Sequence, residues 1–146
     1  MQSPTLSLTG GRGMGAPDRG PALVSGLGFG FRYDLDSTTG VISNRDHDLY
    51  GEELAGRVLV FTKPKGGMAA SWALASLRDR GIAPLAIVFR EASPIFAQGA
   101  LFSGLPIMHM LEGDPCALIR TGDDVALYPT EGRIDIFRTN RHIEMA

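Results

Sequence analysis

Apolar residues fall along this chain in short runs broken by turn residues, with one stretch of helical spacing. Arg57-Val58-Leu59-Val60-Phe61 and Leu85-Ala86-Ile87-Val88-Phe89 are nearly continuous apolar runs, the pattern of strands buried on both faces. Between them, Met68 to Arg80 places Trp72, Ala73, Ser76, Leu77 and Arg80 near one helical face, with Arg78 and Asp79 toward water. Gly81 stands where a left-handed residue caps a helix, and Pro84 blocks its continuation. Strand, loop, helix and strand in this order predict a βαβ unit with parallel pairing and a right-handed crossover.

The flanking segments read as shorter strands. Ala22–Phe31 is a glycine-interrupted apolar stretch, expected as a strand bent at Gly26, Gly28 and Gly30. Asp36-Ser37-Thr38-Thr39-Gly40 is a turn, followed by a short strand at Val41-Ile42. Pro94 to Gly104 has helical spacing, and Pro106-Ile107-Met108-His109-Met110 is a third strand. In the last third, Ala117–Arg120, Val125–Tyr128 and Arg133–Phe137 are separated by Thr121-Gly122-Asp123-Asp124 and by Thr130-Glu131-Gly132. That spacing predicts two hairpins. The expected fold is α/β: mixed β-structure with a βαβ unit and C-terminal hairpins.

Composition narrows the setting. A chain of 146 residues is one domain, with room for a tail. Met1–Pro21 holds five glycines and three prolines with few large apolar side chains, so residues 1–21 are expected to be a flexible extension. The domain is then expected over residues 22–137, with 138–146 as a C-terminal tail. A net charge of −2 argues against a general binder of nucleic-acid phosphates. No apolar run approaches the roughly 18–20 residues of a membrane span, and no export signal precedes the domain, so the cytoplasm is the expected location. Cys116 is the sole cysteine, which excludes an internal disulfide and any cysteine-built metal or iron–sulfur site in this chain alone. Nineteen glycines are about twice the usual share of roughly 7%.

The strongest candidate chemistry lies in Lys63-Pro64-Lys65-Gly66-Gly67-Met68-Ala69-Ala70-Ser71. A helix starting after a strand and a glycine pair presents unpaired backbone N–H groups and the positive end of its dipole. Both favour a carboxylate or phosphate. Lys65, Gly66, Gly67 and Met68 are therefore the candidate substrate-binding residues, and Ser71, one turn in, the candidate catalytic hydroxyl. The ordinary structural alternative is that Gly66-Gly67 lets the helix pack closely and Ser71 bonds back to its own helix. The loop has neither Walker spacing nor G-x-G-x-x-G. Gly26-Leu27-Gly28-Phe29-Gly30 has alternate glycines, but no βαβ unit follows at the distance a dinucleotide site needs. His47 lies in a polar loop, His109 in an apolar strand and His142 in the tail; none has a second ligand at metal spacing. Asp123-Asp124 reads as a solvated turn and Cys116 as a small buried side chain.

Several stretches in one order resemble the small subunit of the aconitase X family. They are Asp36-Ser37-Thr38-Thr39-Gly40, Leu49-Tyr50-Gly51-Glu52-Glu53-Leu54-Ala55-Gly56-Arg57-Val58-Leu59-Val60, the Lys-Gly-Gly loop, and Arg80-Gly81-Ile82-Ala83-Pro84-Leu85-Ala86-Ile87-Val88. Ala92-Ser93-Pro94-Ile95-Phe96-Ala97-Gln98-Gly99-Ala100 and Gly104-Leu105-Pro106 follow, so the resemblance runs from about Gly26 to Phe137. It implies a swivelling β/β/α domain docked on a larger subunit that carries an iron–sulfur cluster, with no cofactor on this chain. It further implies a hydro-lyase (dehydratase) acting on a small anion, such as cis-3-hydroxy-L-proline in bacteria or phosphomevalonate in archaea.

Many members of that family read Gly-Ser-x-x-Gly-Ser in the loop, with the first serine as the proposed proton acceptor. Gly67 stands at that first serine here, and Ala70 at the second glycine. Either Ser71 or the large subunit then supplies the base, or this branch does different chemistry. The implied reaction is β-elimination of water under a closing lid. Two rival classes differ in sequence. A swivelling phosphohistidine domain needs a histidine at the helix start, where Trp72 lies nearby. A stand-alone binding or scaffold module needs no partner at all.

Overall fold

The computed structural model describes residues 3–28, 34–36, 38–63, 76–90, 106–109 and 111–138. Within them, ten strands follow in chain order: β1 (Leu6–Leu8), β2 (Arg12–Met14), β3 (Asp18–Val24), β4 (Leu35–Asp36), β5 (Val41–Ile42), β6 (Val58–Phe61), β7 (Ala86–Phe89), β8 (Ile107–His109), β9 (Asp124–Tyr128) and β10 (Arg133–Phe137). Eight form one sheet in the order β1-β10-β9-β3-β6-β7-β8-β2, and β4 with β5 makes a separate ribbon.

The middle of the sheet is parallel, as the continuous apolar runs predict. β6 pairs with β7 from Val58↔Ala86 to Phe61↔Phe89, and β7 pairs with β8 at Ile87↔Ile107 and Val88↔Met108. Successive side chains leave a strand on opposite faces, so these strands feed two cores. Val58, Val60, Ala86, Val88 and Met108 join Leu8, Val125, Leu127, Ile134 and Ile136 on one face. Leu59, Phe61, Ile87, Phe89 and Ile107 join Leu35, Ile42, Leu49, Leu54 and Leu77 on the other. The strands contribute small side chains to the first core, which the antiparallel strands enclose, and larger ones to the second. Leu77 belongs to a helical turn at residues 76–79, and Gly81 beyond it has φ 73°, the left-handed cap expected there. The rest of the predicted Met68–Arg80 helix, the helical stretch Pro94–Gly104 and the bend at Gly30 lie outside the described residues.

β3 joins the two halves. Asp18–Pro21 pairs antiparallel with β9, and Ala22–Val24 pairs parallel with β6. The far ends of the sheet are tied together as well: the Gly11 amide donates to the Gly132 carbonyl at 3.1 Å. Gly132 has φ 65°, and a Cβ there would run into the Gly11 carbonyl. The sheet therefore curls around its first core, with Thr9-Gly10-Gly11 bridging β1 and β2 at opposite ends of the strand order.

The expectation of a flexible extension over residues 1–21 fails for the described part. β1 pairs with β10, β2 with β8, and half of β3 is built from this segment. Its glycines serve close packing: a Cβ on Gly13 would lie 2.9 Å from the Ile107 carbonyl, and one on Gly20 would strike Leu85. Glycine richness here marks backbone approach and not an absence of structure.

One of the two predicted hairpins forms. β9 and β10 pair antiparallel from Arg133↔Tyr128 to Phe137↔Asp124 around a 3₁₀ turn at Pro129–Glu131. Ala117–Arg120 is not a strand; Pro115–Leu118 is a short helix. The Asp114 side chain accepts from the Cys116 amide at 3.0 Å as N-cap, and Pro115 occupies the first turn, where its missing N–H costs nothing.

Asp123 is not solvated. It is 1% exposed, accepts from Arg138 Nε at 3.0 Å and Nη2 at 2.8 Å, and accepts from the Arg120 amide at 2.8 Å. Arg138 also donates through Nη2 to the Leu118 carbonyl at 3.0 Å and through its amide to Thr5 Oγ1 at 3.0 Å. The expected tail thus begins with an anchored residue; 139–146 lie outside the described residues.

Deleting residues 1–21 should abolish cooperative unfolding, since it removes two strands and half of β3; circular dichroism with a thermal melt checks this. Arg138→Met leaves the buried Asp123 carboxylate without its ion partner. It should cost about 3 kcal/mol or more, lowering the midpoint temperature by roughly 6–12 °C for a chain of this size.

Candidate functional site at the carboxyl ends of the parallel strands

β3, β6, β7 and β8 run parallel, so their carboxyl ends reach one edge of the sheet. In α/β sheets, ligands bind beyond that edge. Ser25 follows β3, Thr62 and Lys63 follow β6, Arg90 follows β7, and His109 ends β8. The Lys-Gly-Gly loop leaves from this edge. Lys63 is described and exposed; Lys65, Gly66, Gly67, Met68 and Ser71 lie outside the described residues.

Hydrogen bonds knit the described part of the edge together. The Ser25 amide donates to the Val60 carbonyl at 2.9 Å, the Thr62 amide to Leu27 at 3.2 Å, and the Arg90 amide to Phe61 at 3.0 Å. Ser25 is 1% exposed. Its hydroxyl donates to Asp48 Oδ1 at 2.6 Å and accepts from the Leu27 amide at 2.9 Å. Asp48 Oδ2 accepts from the Gly26 amide at 3.2 Å. The Asp48 side chain nevertheless remains 44% exposed, so its carboxylate is fixed yet open to solvent.

His47 contacts the same segment and the same carboxylate. Its Nε2 lies 3.0 Å from the Gly28 carbonyl; a carbonyl only accepts, so Nε2 carries the proton. Nδ1 accepts from the Leu49 amide at 3.1 Å and lies 3.1 Å from Asp48 Oδ1. The ring packs edge-on against Phe61, 6.1 Å between centroids. A residue whose sequence neighbours are all polar is thus buried at 4% exposure. His109 stands two strands from β6 at the same edge, apart from this group.

Two cations follow the parallel strands at this edge. Lys63 is exposed, and Arg90 pairs with Asp114 at 3.2 Å. Cys116 does not fit a cluster or metal. Its thiol is pushed up to about 11, first by burial and then by the Asp114 charge, with Arg90 acting the other way; metal ligation requires a readily formed thiolate. Among the described residues, no three of His, Cys, Asp or Glu lie together as metal ligands, and no helix is long and apolar enough to cross a membrane. A shallow depression of about 340 Å³ is lined by Asp36, Thr39, Tyr50 and neighbours on the β4–β5 ribbon. Its carboxylate is already engaged, since Asp36 Oδ1 accepts from the Thr38 amide at 2.9 Å and closes the expected turn.

Ser25, His47 and Asp48 were not legible as site residues in the sequence. The only signal was the polar run Asn44-Arg45-Asp46-His47-Asp48, which says nothing of the serine 23 positions earlier that holds it.

Comparison with known proteins agrees with the geometry. The family model for the aconitase X swivel domain matches residues 8–136. The phosphomevalonate dehydratase small subunit of Methanocella arvoryzae is 37% identical over 131 residues, covering 90% of this chain and 99% of that protein. Its counterpart in Methanopyrus kandleri is 38% identical over 120 residues, covering 82% and 88%. The crystal structure of Thermococcus kodakaraensis aconitase X in its holo form superposes with a TM-score of 0.84 at 29% identity, covering 91% of this chain and 99% of that one.

With the thiol at about 11 instead of 9.0, Cys116 holds roughly 100-fold less thiolate at pH 8 than an ordinary cysteine. Alkylation by iodoacetamide at pH 8 should be slower by about that factor, and should rise about tenfold per pH unit toward pH 11. Mass spectrometry of timed samples reads both.

Proposed function

The chain belongs to the aconitase X swivel-domain family and is the small subunit of a dehydratase; on that premise we propose that its substrate is a small phosphorylated hydroxy acid, which it helps to dehydrate only when docked on a large subunit. The observation that carries the reading is the near end-to-end likeness to subunits named for phosphomevalonate dehydration, 99% of one such chain being covered. Those names move the expected substrate from cis-3-hydroxy-L-proline toward phosphomevalonate.

The edge described above supports the reading chemically. Elimination of water from such a substrate needs an anchor for the anion, a base for a C–H proton and exclusion of bulk water. In this reading Lys63 is the described cation of the anchor, and Lys65, Gly66, Gly67 and Met68, outside the described residues, are its expected anion-binding partners. Ser71, also outside the described residues, is the expected catalytic hydroxyl. The iron–sulfur cluster implied by the family resemblance falls to the large subunit, because Cys116 is a poor ligand and stands alone. A stand-alone binding module is the alternative, favoured by no observation over a dehydratase subunit.

The isolated chain should neither dehydrate phosphomevalonate nor retain iron after anaerobic reconstitution, while the pair with its large subunit should do both. Ser71→Ala in the pair should lower turnover by roughly 10²–10⁴-fold with KM little changed, as for a proton-transferring group. Turnover within a few-fold of wild type would reduce Ser71 to a packing residue.

A further inference from the structure

Resting on the reading of this chain as a dehydratase small subunit, we propose that the surface around the end of β3 is the face on which the large subunit docks. Its anchors are Leu27, Tyr50 and Leu118, and the partner surface that fits them is apolar with an acidic rim.

These three are the large hydrophobic side chains that the described residues expose, at 43%, 53% and 37%. They are far apart in sequence, yet each stands within three residues of a contact to the end of β3. Leu27 lies between Gly26, whose amide donates to Asp48, and Gly28, whose carbonyl accepts from His47. Tyr50 follows that His47-Asp48 pair, and its own amide donates to the His47 carbonyl at 3.1 Å. Leu118 precedes Thr121, whose Oγ1 accepts from the Val24 amide at 3.0 Å. Among the described residues, the opposite end of the parallel strands, entered through 55–57 and 82–85, exposes no large hydrophobic side chain. Exposed hydrophobic groups gathered at one end and missing from the other mark an interaction surface.

Charge narrows the occupant. Lys63, Arg120 and Arg45 are exposed and pair with no carboxylate among the described residues. Asp46 and Asp48 stand against them, with Asp48 already held by the Ser25 hydroxyl and the Gly26 amide. Arg90 is balanced by Asp114. Cations therefore outnumber anions around this face, in a chain whose total charge is −2. A second copy of the chain would bring those cations face to face, because a two-fold contact places the same patch on both sides. A large subunit with carboxylates around an apolar hollow meets no such repulsion. Docking there also sets the partner beside Lys63, which the anion-binding candidates follow in sequence.

The test titrates this chain into the separately purified large subunit by calorimetry, with a thermal melt of every variant. Leu27→Asp and Leu118→Asp should each raise Kd at least tenfold, the loss typical of an interface anchor. Arg120→Glu should raise Kd several-fold and flatten its dependence on salt. Arg80→Glu, at the opposite end, should bind like wild type. Unfolding midpoints should stay near that of wild type, since substitutions at exposed positions cost little stability. Wild-type affinity in the Leu27, Leu118 and Arg120 variants overturns the proposal, as do affinity losses that track the unfolding midpoint. Sedimentation of this chain alone should show a monomer; a dimer broken by the same variants would assign the face to a second copy and overturn it too. A wild-type chain that does not bind the large subunit at all overturns the two-subunit reading itself.

Discussion

The double pairing of β3 is the constraint on which the rest of the molecule depends. One seven-residue strand closes an antiparallel sheet along Asp18–Pro21 and opens a parallel one along Ala22–Val24. Because a one-residue slip would exchange the two faces of a strand, the register of β3 fixes which side chains enter each core. Ala22 and Leu23 are adjacent in sequence and lie in different cores. The same strand delivers Ser25 beside Val60, so the architecture and the candidate site share one set of backbone hydrogen bonds.

Around that strand the buried polar groups act as fasteners between segments far apart in sequence. The Asp123–Arg138 pair links the turn before β9 to the end of β10, and Thr5 draws β1 onto the same point. Ser25 and Asp48 do the equivalent just beyond the end of β3. A buried carboxylate without a cation is costly, whereas one with bidentate contacts and a further amide donor is satisfied. Asp123, fully enclosed, is a structural lock. Asp48 has fixed donors and an open side.

The segment 25–28 is held by Val60 and Thr62 through backbone hydrogen bonds, by Asp48 through Ser25 and Gly26, and by His47 through the Gly28 carbonyl. Lys63, which follows β6 at the same edge, precedes the anion-binding candidates in sequence.

By itself the sequence determined the parallel centre, because a strand buried on both faces must be continuously apolar, as Val58–Phe61 and Ala86–Phe89 are. It determined the β9–β10 hairpin, the cap at Gly81 and the family, through residues that act locally or recur in fixed order. Local composition misled where it was read as disorder: the glycines of the first twenty-one residues serve backbone contacts with Ile107 and Leu85, which no local pattern encodes. Ala117–Arg120 has the composition of a strand, but Asp114 and Pro115, three and two residues upstream, start a helix there. Only tertiary structure decided that β3 changes partners, that Asp123 is buried beneath Arg138, and that Ser25, His47 and Asp48 meet. Each of these joins positions far apart along the chain, and burial and hydrogen bonding at such distances follow from the sheet order, which hydrophobic periodicity leaves open.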